Sequence, residues 1–340
     1  MLSIKACDIM FDKSGEKAIK KRIKLPADLI FYFWICGTKR LRNRRFRSSP
    51  HRLDKNSHKE VDNMKFTKMH GCGNDYVYIN CFEEKVENPA ELAIKMSNRN
   101  FGVGSDGIIL ICPDDEADFR MRMFNADGSE SQMCGNGIRC VGKYVYDKGL
   151  TDKKQVSVNT LAGIKILDFE IEDGKVKLIK VDMGEPEFEA AKIPVVNDVS
   201  PVIDKMIKSH DKEFGFTCVS MGNPHAVAFI DDVKNFDIEK YGKVIETDEA
   251  FPERVNAEFV EIVTPSHAKM RVWERGSGET LACGTGTCAS VVAGVLKGVL
   301  ERKTQVDLLG GTLYIHWSEE DNHVYMTGPA EITFDGIWYK

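Results

Sequence analysis

No stretch of the chain approaches the roughly 20 consecutive apolar residues that a helix needs to cross a bilayer. The run Leu29–Cys36, LIFYFWIC, is far too short. Ala289–Leu300 is interrupted by Ser290, Gly294, Lys297 and Gly298 and reads as a buried helix. The amino terminus lacks the basic, apolar, small-residue order of a secretory signal. The ten cysteines, spread over 340 residues, do not read as a disulfide framework. These absences together place the protein in a reducing cytoplasm, with no membrane partner and with free cysteines that are core filler or catalytic. Excess positive charge is missing from the body as well. Residues 1–63 hold 16 Lys and Arg against 7 Asp and Glu, whereas the rest holds 31 against 45. An acidic body argues against a nucleic-acid surface, because phosphate binding needs a basic face.

What is present is an ordinary globular composition, 42% hydrophobic and 29% charged, sufficient for one large or two ordinary domains. Residues 38–59 are crowded with Arg, Lys, Ser, Asn and His. Residues 1–63 therefore read as an extension outside the folded body, disordered or an upstream translated stretch, with translation starting at Met64. From there short strands dominate: 65–69, 76–80, 108–112, 119–124, 155–159, 163–172 and 175–181, then 217–221, 226–230, 257–264, 269–274, 304–307, 311–317, 324–327 and 330–334. Helices are expected over 89–97, 137–148 and 285–297, the first with Asn88 as N-cap and the second stopped by Gly149. The order strands, Cys-Gly-x-Gly, helix, strands occurs twice. That is an internal repeat with too few helices for a parallel βαβ sheet, hence an α+β fold.

The repeated device is MCGNGIRC (133–140) and ACGTGTCAS (282–290). A cysteine just before a helix faces the first-turn N–H groups and the positive end of the dipole, which stabilises a thiolate and lowers its pKa. The glycines let a ligand approach the backbone, and the same N–H groups can bind a carboxylate. Two such cradles related by a pseudo-twofold would set Cys134 and Cys283 on opposite faces of one bound carboxylate. That geometry inverts a stereocentre: a thiolate takes the α-proton and the opposite thiol returns one. Three other readings stand beside it. The cysteines could be buried filler. They could bind zinc, although Cys134/Cys140 and Cys283/Cys288 lack the usual two-to-four-residue gap and no histidine lies at ligand spacing. They could belong to a dinucleotide loop, although Cys140 and Ser290 stand where the third glycine belongs. Stereoinversion is the reading preferred over these.

At MHGCGNDY (69–76), GVGSDG (102–107), FNADGSESQMCGNGIRC (124–140), MGNPHAV (221–227), RVNAEFVE (254–261) and VWERGSGETLACGTGTCAS (272–290), the sequence resembles the diaminopimelate epimerase family. The resemblance covers essentially all of 64–340. It implies Cys134 and Cys283 as the acid/base pair, with Gly135, Asn136, Gly284 and Thr285 as the carboxylate cradle. It further implies that Asn74, Asn125, Asn223 and Asn256 hold the substrate's amino and carboxylate groups, and that Arg275 faces the distal carboxylate with its planar fork. His225 and Glu274 would tune the thiols near the centre, and Gly107 stands where some members carry a substrate-contacting glutamine. By the same resemblance the fold is two pseudo-symmetric domains, 64–180 with 329–340 and 181–328. Each would be a β-barrel-like antiparallel or mixed sheet around a central helix, with the site between them. The substrate would be LL-2,6-diaminoheptanedioate, no cofactor or metal would be used, and the enzyme would be a homodimer. Read from the residues alone, the asparagines could be turn formers, His225 a core or surface histidine, and Glu274–Arg275 a solvated ion pair. Glu261 and Glu279 read as structural, Cys140 and Cys288 as packing, and Cys72 as either a packed residue or a neighbour of the site.

Overall fold

The computed structural model describes residues 63–339, so the readings made for residues 1–62 lie outside the described residues. Two runs of elements with the same order make up this body. The first is β1 (Asn63–Gly71), β2 (Asn74–Asn80), α1 (Pro89–Ser97), β3 (Gly107–Cys112), β4 (Phe119–Asn125), β5 (Glu130–Ser131), α2 (Gly135–Asp147), β6 (Gln155–Thr160), β7 (Gly163–Glu172) and β8 (Lys175–Asp182). A strand β9 (Lys205–Ser209) precedes the second run. That run is β10 (Lys212–Ser220), β11 (Pro224–Phe229), α3 (Ile238–Glu246), β12 (Asn256–Thr264), β13 (His267–Glu274), β14 (Gly278–Thr280), α4 (Gly284–Leu296), β15 (Lys303–Leu308), β16 (Gly311–Trp317) and β17 (Val324–Gly328). A last strand, β18 (Glu331–Tyr339), follows.

The pairings repeat as faithfully as the order. In the first run β1–β2 is antiparallel, β2–β3 parallel, β3–β4 antiparallel, β4–β6 parallel, and β6–β7–β8 antiparallel. In the second, β10–β11, β11–β12, β12–β13, β13–β15 and β15–β16–β17 follow the same sequence of directions. Antiparallel pairing of β8 with β17 joins the halves. The outer strands correspond too, for β18 lies on β1 as β9 lies on β10. The result is one mixed sheet that is not closed, where barrel-like halves were expected. Among the described residues no pairing joins β18 to β9, its two end strands.

Both central helices are 13 residues long, capped by Cys134 and Cys283, and followed by Lys-Gly with the glycine in the left-handed region, Gly149 at φ 76° and Gly298 at φ 70°. The helix α4 is apolar on nearly all sides, as a helix wrapped by strands must be. The helix α2 carries two basic side chains into the interior, and each is satisfied. Lys143 pairs with Asp147 at 2.9 Å. Arg139, wholly buried, donates to the carbonyls of Gly135 at 3.0 Å and Pro329 at 3.2 Å and to Asn136 Oδ1 at 2.8 Å. One large apolar cluster runs from Tyr78, Ile109 and Val141 through Met183 and Met326 to Val291 and Trp317, so the two halves share a core.

Several elements depart from expectation. The helix α3 was not anticipated, although Asp237 caps it and Ile238, Tyr241, Gly242 and Ile245 form its buried face. The short strands β5, β9 and β14 were also missed, and β10 and β18 run longer than the spans expected there. Among the described residues no helix is long and apolar enough to cross a membrane. Arg139→Ala should lower the unfolding free energy by about 3 kcal/mol, because it strands buried acceptors and leaves a void. A chemical denaturation midpoint unchanged from the parent would refute that role.

Candidate active site

The two helix N-termini meet. A Cβ built on Gly284 would lie 3.5 Å from the Gly135 Cα, and one on Gly135 would lie 2.9 Å from the Met326 methyl. A side chain at either position would press on the Met326 thioether, so glycine suits the close approach. Cys134 and Cys283 therefore open into one cleft of about 1300 Å³, half-buried and buried respectively. Each sulfur accepts an N–H from the first turn of its own helix, Gly137 N to Cys134 Sγ and Gly286 N to Cys283 Sγ, both at 3.4 Å.

The sheet register places the remaining groups in matched pairs. Tyr76, Gly107 and Asn125 lie side by side across β2, β3 and β4. His225 and Asn256 are the corresponding partners across β11 and β12, with Glu274 beside them at the end of β13. Two residues before Tyr76 and His225 stand Asn74 and Asn223, each preceded by a glycine with positive φ. Ile109 and Glu258 correspond as well, each lying beneath the first helical turn. A Cβ on Gly137 would be 2.6 Å from Ile109 Cδ1, and one on Gly286 would be 2.4 Å from Glu258 Oε1.

Of the expected site residues, Asn74, Asn125, Cys134, Gly135, Asn136, Asn223, Asn256, Glu274, Arg275, Cys283, Gly284 and Thr285 all line the cleft. Gly107 does not. It is buried in β3, where a Cβ would sit 2.1 Å from the Phe124 carbonyl oxygen, so it offers the site no side chain. His225 is fully buried behind the lining, between Glu258 Oε1 at 2.7 Å and Asn223 Oδ1 at 3.0 Å.

The side chains are tightly held. The Cys134 thiol donates to Asn74 Oδ1 at 3.3 Å, and Asn74 Nδ2 donates to Asp106 at 2.7 Å. Asn136 reaches across to the other half, where Nδ2 donates to the Ala282 carbonyl at 3.0 Å. Asn256 accepts from the Arg275 backbone N–H at 3.0 Å and donates to the Pro224 carbonyl at 2.8 Å. Arg275 spends one guanidinium N–H on the Glu253 carbonyl and makes no ion pair with Glu274, whose carboxylate accepts the Thr280 hydroxyl instead. Cys72 does not line the cleft, and its sulfur accepts from Arg139 at 3.7 Å. Cys140 and Cys288 are core residues, while Glu261 and Glu279 pair with Lys269 and Arg271.

The expected fall in thiol pKa is not what results. Burial raises the Cys134 thiol above its ordinary value, and the Gly137 and Asn136 N–H groups only partly offset this. Burial raises Cys283 further, with the negative charges of Glu274 and Glu258 adding to it against the Thr285 hydroxyl and the Gly286 N–H. Desolvation of a thiolate here outweighs a helix terminus. Glu274 is itself raised by burial, against the pull of Thr280 and His225.

Sequence reasoning passed over Glu258, Tyr76, Asp106 and Arg139. A signal for Glu258 existed. In NAEFV it is an acid two residues after Asn256, hence on the same face of the strand, set among the apolar Ala257, Phe259 and Val260.

The family model of diaminopimelate epimerase matches residues 66–189 and 217–333. A diaminopimelate epimerase of Methanococcus maripaludis is 59% identical over 273 residues, 80% of this chain and 99% of the relative. One from Acetivibrio thermocellus is 60% identical over 273 residues, 80% and 98% of the two chains. Among solved structures, a hydroxyproline epimerase from Agrobacterium vitis superposes with a TM-score of 0.57 at 15% identity, covering 82% of this chain and 93% of the other. A PhzF-family phenazine biosynthesis protein from Bacillus anthracis gives 0.57 at 15% identity, covering 81% and 99%. These last two share the two-lobed fold alone, whereas the family match and the sequence identities go further: the chain belongs to the diaminopimelate epimerase family.

Proposed function

We propose that this chain is an isomerase that interconverts LL- and meso-2,6-diaminoheptanedioate, serving lysine synthesis through diaminopimelate. One observation carries the chemistry: two cysteine-capped helices present their N-termini to a single cleft from opposite halves of a repeated fold. One sulfur, as thiolate, takes the α-proton. The other, as thiol, gives a proton to the opposite face of the same carbon. Sulfur ends protonated on one side and deprotonated on the other, so the roles exchange for the reverse reaction. The electron pair released from the C–H bond flows toward the carboxylate. There the first-turn N–H groups of α2 and α4, which begin at Gly135 and Gly284, already point, and Asn136 and Thr285 follow in those turns. The reaction needs no pyridoxal phosphate, metal or nucleotide for this step. The asparagines at 74, 125, 223 and 256 are suited to the reacting end, and Arg275, at the exposed side of the cleft, suits the distal carboxylate.

The lobes of this reading are 64–180 with 329–340 and 181–328, supported by the β8–β17 junction and the return of β18 to β1. We take the enzyme to work in the cytoplasm as a homodimer. The exposed Phe334, Ile337 and Tyr339 on β18 favour self-association.

Three measurements test this. With LL-diaminopimelate in D2O, the full chain under reductant should replace the α-proton and yield the meso isomer, read by NMR. Cys134→Ala and Cys283→Ala should each cut inversion by about 1000-fold or more, the scale of a lost acid or base. Exchange with proline-type amino acids in place of diaminopimelate would refute the substrate. The pH profile follows from the raised thiols: a base with an elevated pKa is mostly protonated at neutrality. Accordingly kcat/KM should rise with pH, about tenfold per unit on its acid limb, and fall once both sulfurs are deprotonated. A profile already falling from pH 6 to 8 would contradict it. Sedimentation at a mass near 38.3 kDa rather than twice that value would remove the dimer.

A further inference from the structure

The two halves treat their matched asparagines in opposite ways. Asn74 gives its Nδ2 to Asp106 and turns Oδ1 toward Cys134. Asn223 turns its Oδ1 away, onto His225 Nε2 at 3.0 Å. Among the described residues nothing hydrogen-bonds the Asn223 Nδ2, and Asn223 lines the cleft. Behind this difference lies one substitution pair within the repeat. At the positions where the first half has Tyr76 and Ile109, the second has His225 and Glu258, bonded to each other and both wholly buried.

The imidazole thus lies between two oxygens, Glu258 Oε1 at 2.7 Å and Asn223 Oδ1 at 3.0 Å. Two protons are needed to join three groups this way. They may be written as imidazolium with carboxylate or as imidazole with carboxylic acid; both forms are neutral overall, and both put an N–H at Nε2. The form with one proton fewer would leave a net negative charge in the interior. Glu258 Oε2 has no hydrogen-bond partner there, and the other titratable groups near the pair are the Glu274 carboxylate, the Cys283 sulfur and, on β10, the buried Cys218 thiol, none of which supplies a compensating positive charge. Burying that charge is too costly for it to be the resting form. The pair therefore keeps its N–H at Nε2, and that N–H fixes the Asn223 amide.

We propose that Glu258 is a positioning residue which, through His225, sets the Asn223 amide with its N–H2 end toward the cleft. An α-amino acid offers one acceptor group and one donor group on its reacting carbon, the carboxylate and the ammonium. Two asparagines turned opposite ways match that polarity. Asn74 offers an oxygen and Asn223 offers N–H, which a carboxylate accepts. The assignment rests on the epimerase reading above. Gly286 belongs to the same device, since any side chain there would overlap the Glu258 carboxyl.

Three variants of the full chain test this, with kcat and KM for LL-diaminopimelate measured separately and thermal melting as a control of folding. Glu258→Ile copies the first half. It should lower kcat/KM by about tenfold or more, mostly through KM, because the imidazole can then turn a bare nitrogen to Asn223. Glu258→Gln keeps a hydrogen-bond partner for Nδ1 and should stay within about threefold of the parent. In an Asn223→Ala background, Glu258→Ile should add little further loss. A parental KM in Glu258→Ile, or losses that simply add in the double variant, would overturn the proposal. Imidazole 15N shifts of His225 give a readout that survives misfolding of any variant. A protonated Nε2 is expected in the parent, and a bare Nε2 would overturn the proposal. That measurement needs no turnover, so an inactive parent would sink the epimerase reading and leave the proton placement separately tested.

Discussion

The positive ends of two helices face each other across the glycine pair 135 and 284. Each end carries unpaired N–H groups and roughly half a positive charge, so their meeting is unfavourable unless something negative lies between or around them. The rest of the cleft can be understood from that constraint. Met326 and Met183 pack below the junction and keep water from solvating it from beneath. Asn136 ties the start of α2 to the Ala282 carbonyl just ahead of α4. Arg139 holds Asn136 in turn, from inside the same helix. What remains open is the side toward solvent, where a carboxylate is the complementary occupant.

The repeat supplies the geometry and its divergence supplies the chemistry. Two identical lobes would give two identical sulfurs. Here the first half sets the uncharged Asn125, Ile109 and Tyr76 at the positions where the second half has Glu274, Glu258 and His225. Around the second stand Glu274 and the Glu258–His225 pair, and the two carboxylates oppose ionisation of that sulfur. Burial raises both sulfurs, and the acids of the second half add to the rise at Cys283. Inversion needs one thiol and one thiolate at a time, a state that coupling between two neighbouring sulfurs supports because loss of the first proton holds the second more tightly.

Much of this was legible in the sequence, and the failures have distinct physical origins. The cysteine motifs announced themselves, since Cys-Gly-x-Gly ahead of a helix is a rare arrangement for mere packing. Helix α1 was placed with its observed bounds from Asn88 and Pro89. Helix α3 was overlooked although Asp237 and the spacing of Ile238, Tyr241 and Ile245 marked it. The strands β5 and β14 are two and three residues long and exist through register with β4 and β13, which no local pattern encodes. The thiol pKa was misjudged because a helix terminus is visible in a sequence and burial depth is not. Gly107 was carried over by position, yet its close contact with the Phe124 carbonyl is a tertiary fact. Glu258 acquires its role only when β12 is set beneath Gly286.

The strand β18 fills, on β1, the place that β9 fills on β10. In the second lobe that edge comes from the strand that immediately precedes β10 in sequence. In the first it comes from residues made after the entire second lobe, and Thr67 bonds Asp335 across 268 positions of sequence. The lobe that emerges first from the ribosome is thus the last to be completed. Its β1 edge, with Phe66 awaiting Phe334, stays unpaired while the other lobe is being translated. The first lobe can therefore close its edge only when residues 331–339, made after the whole second lobe, reach back to β1.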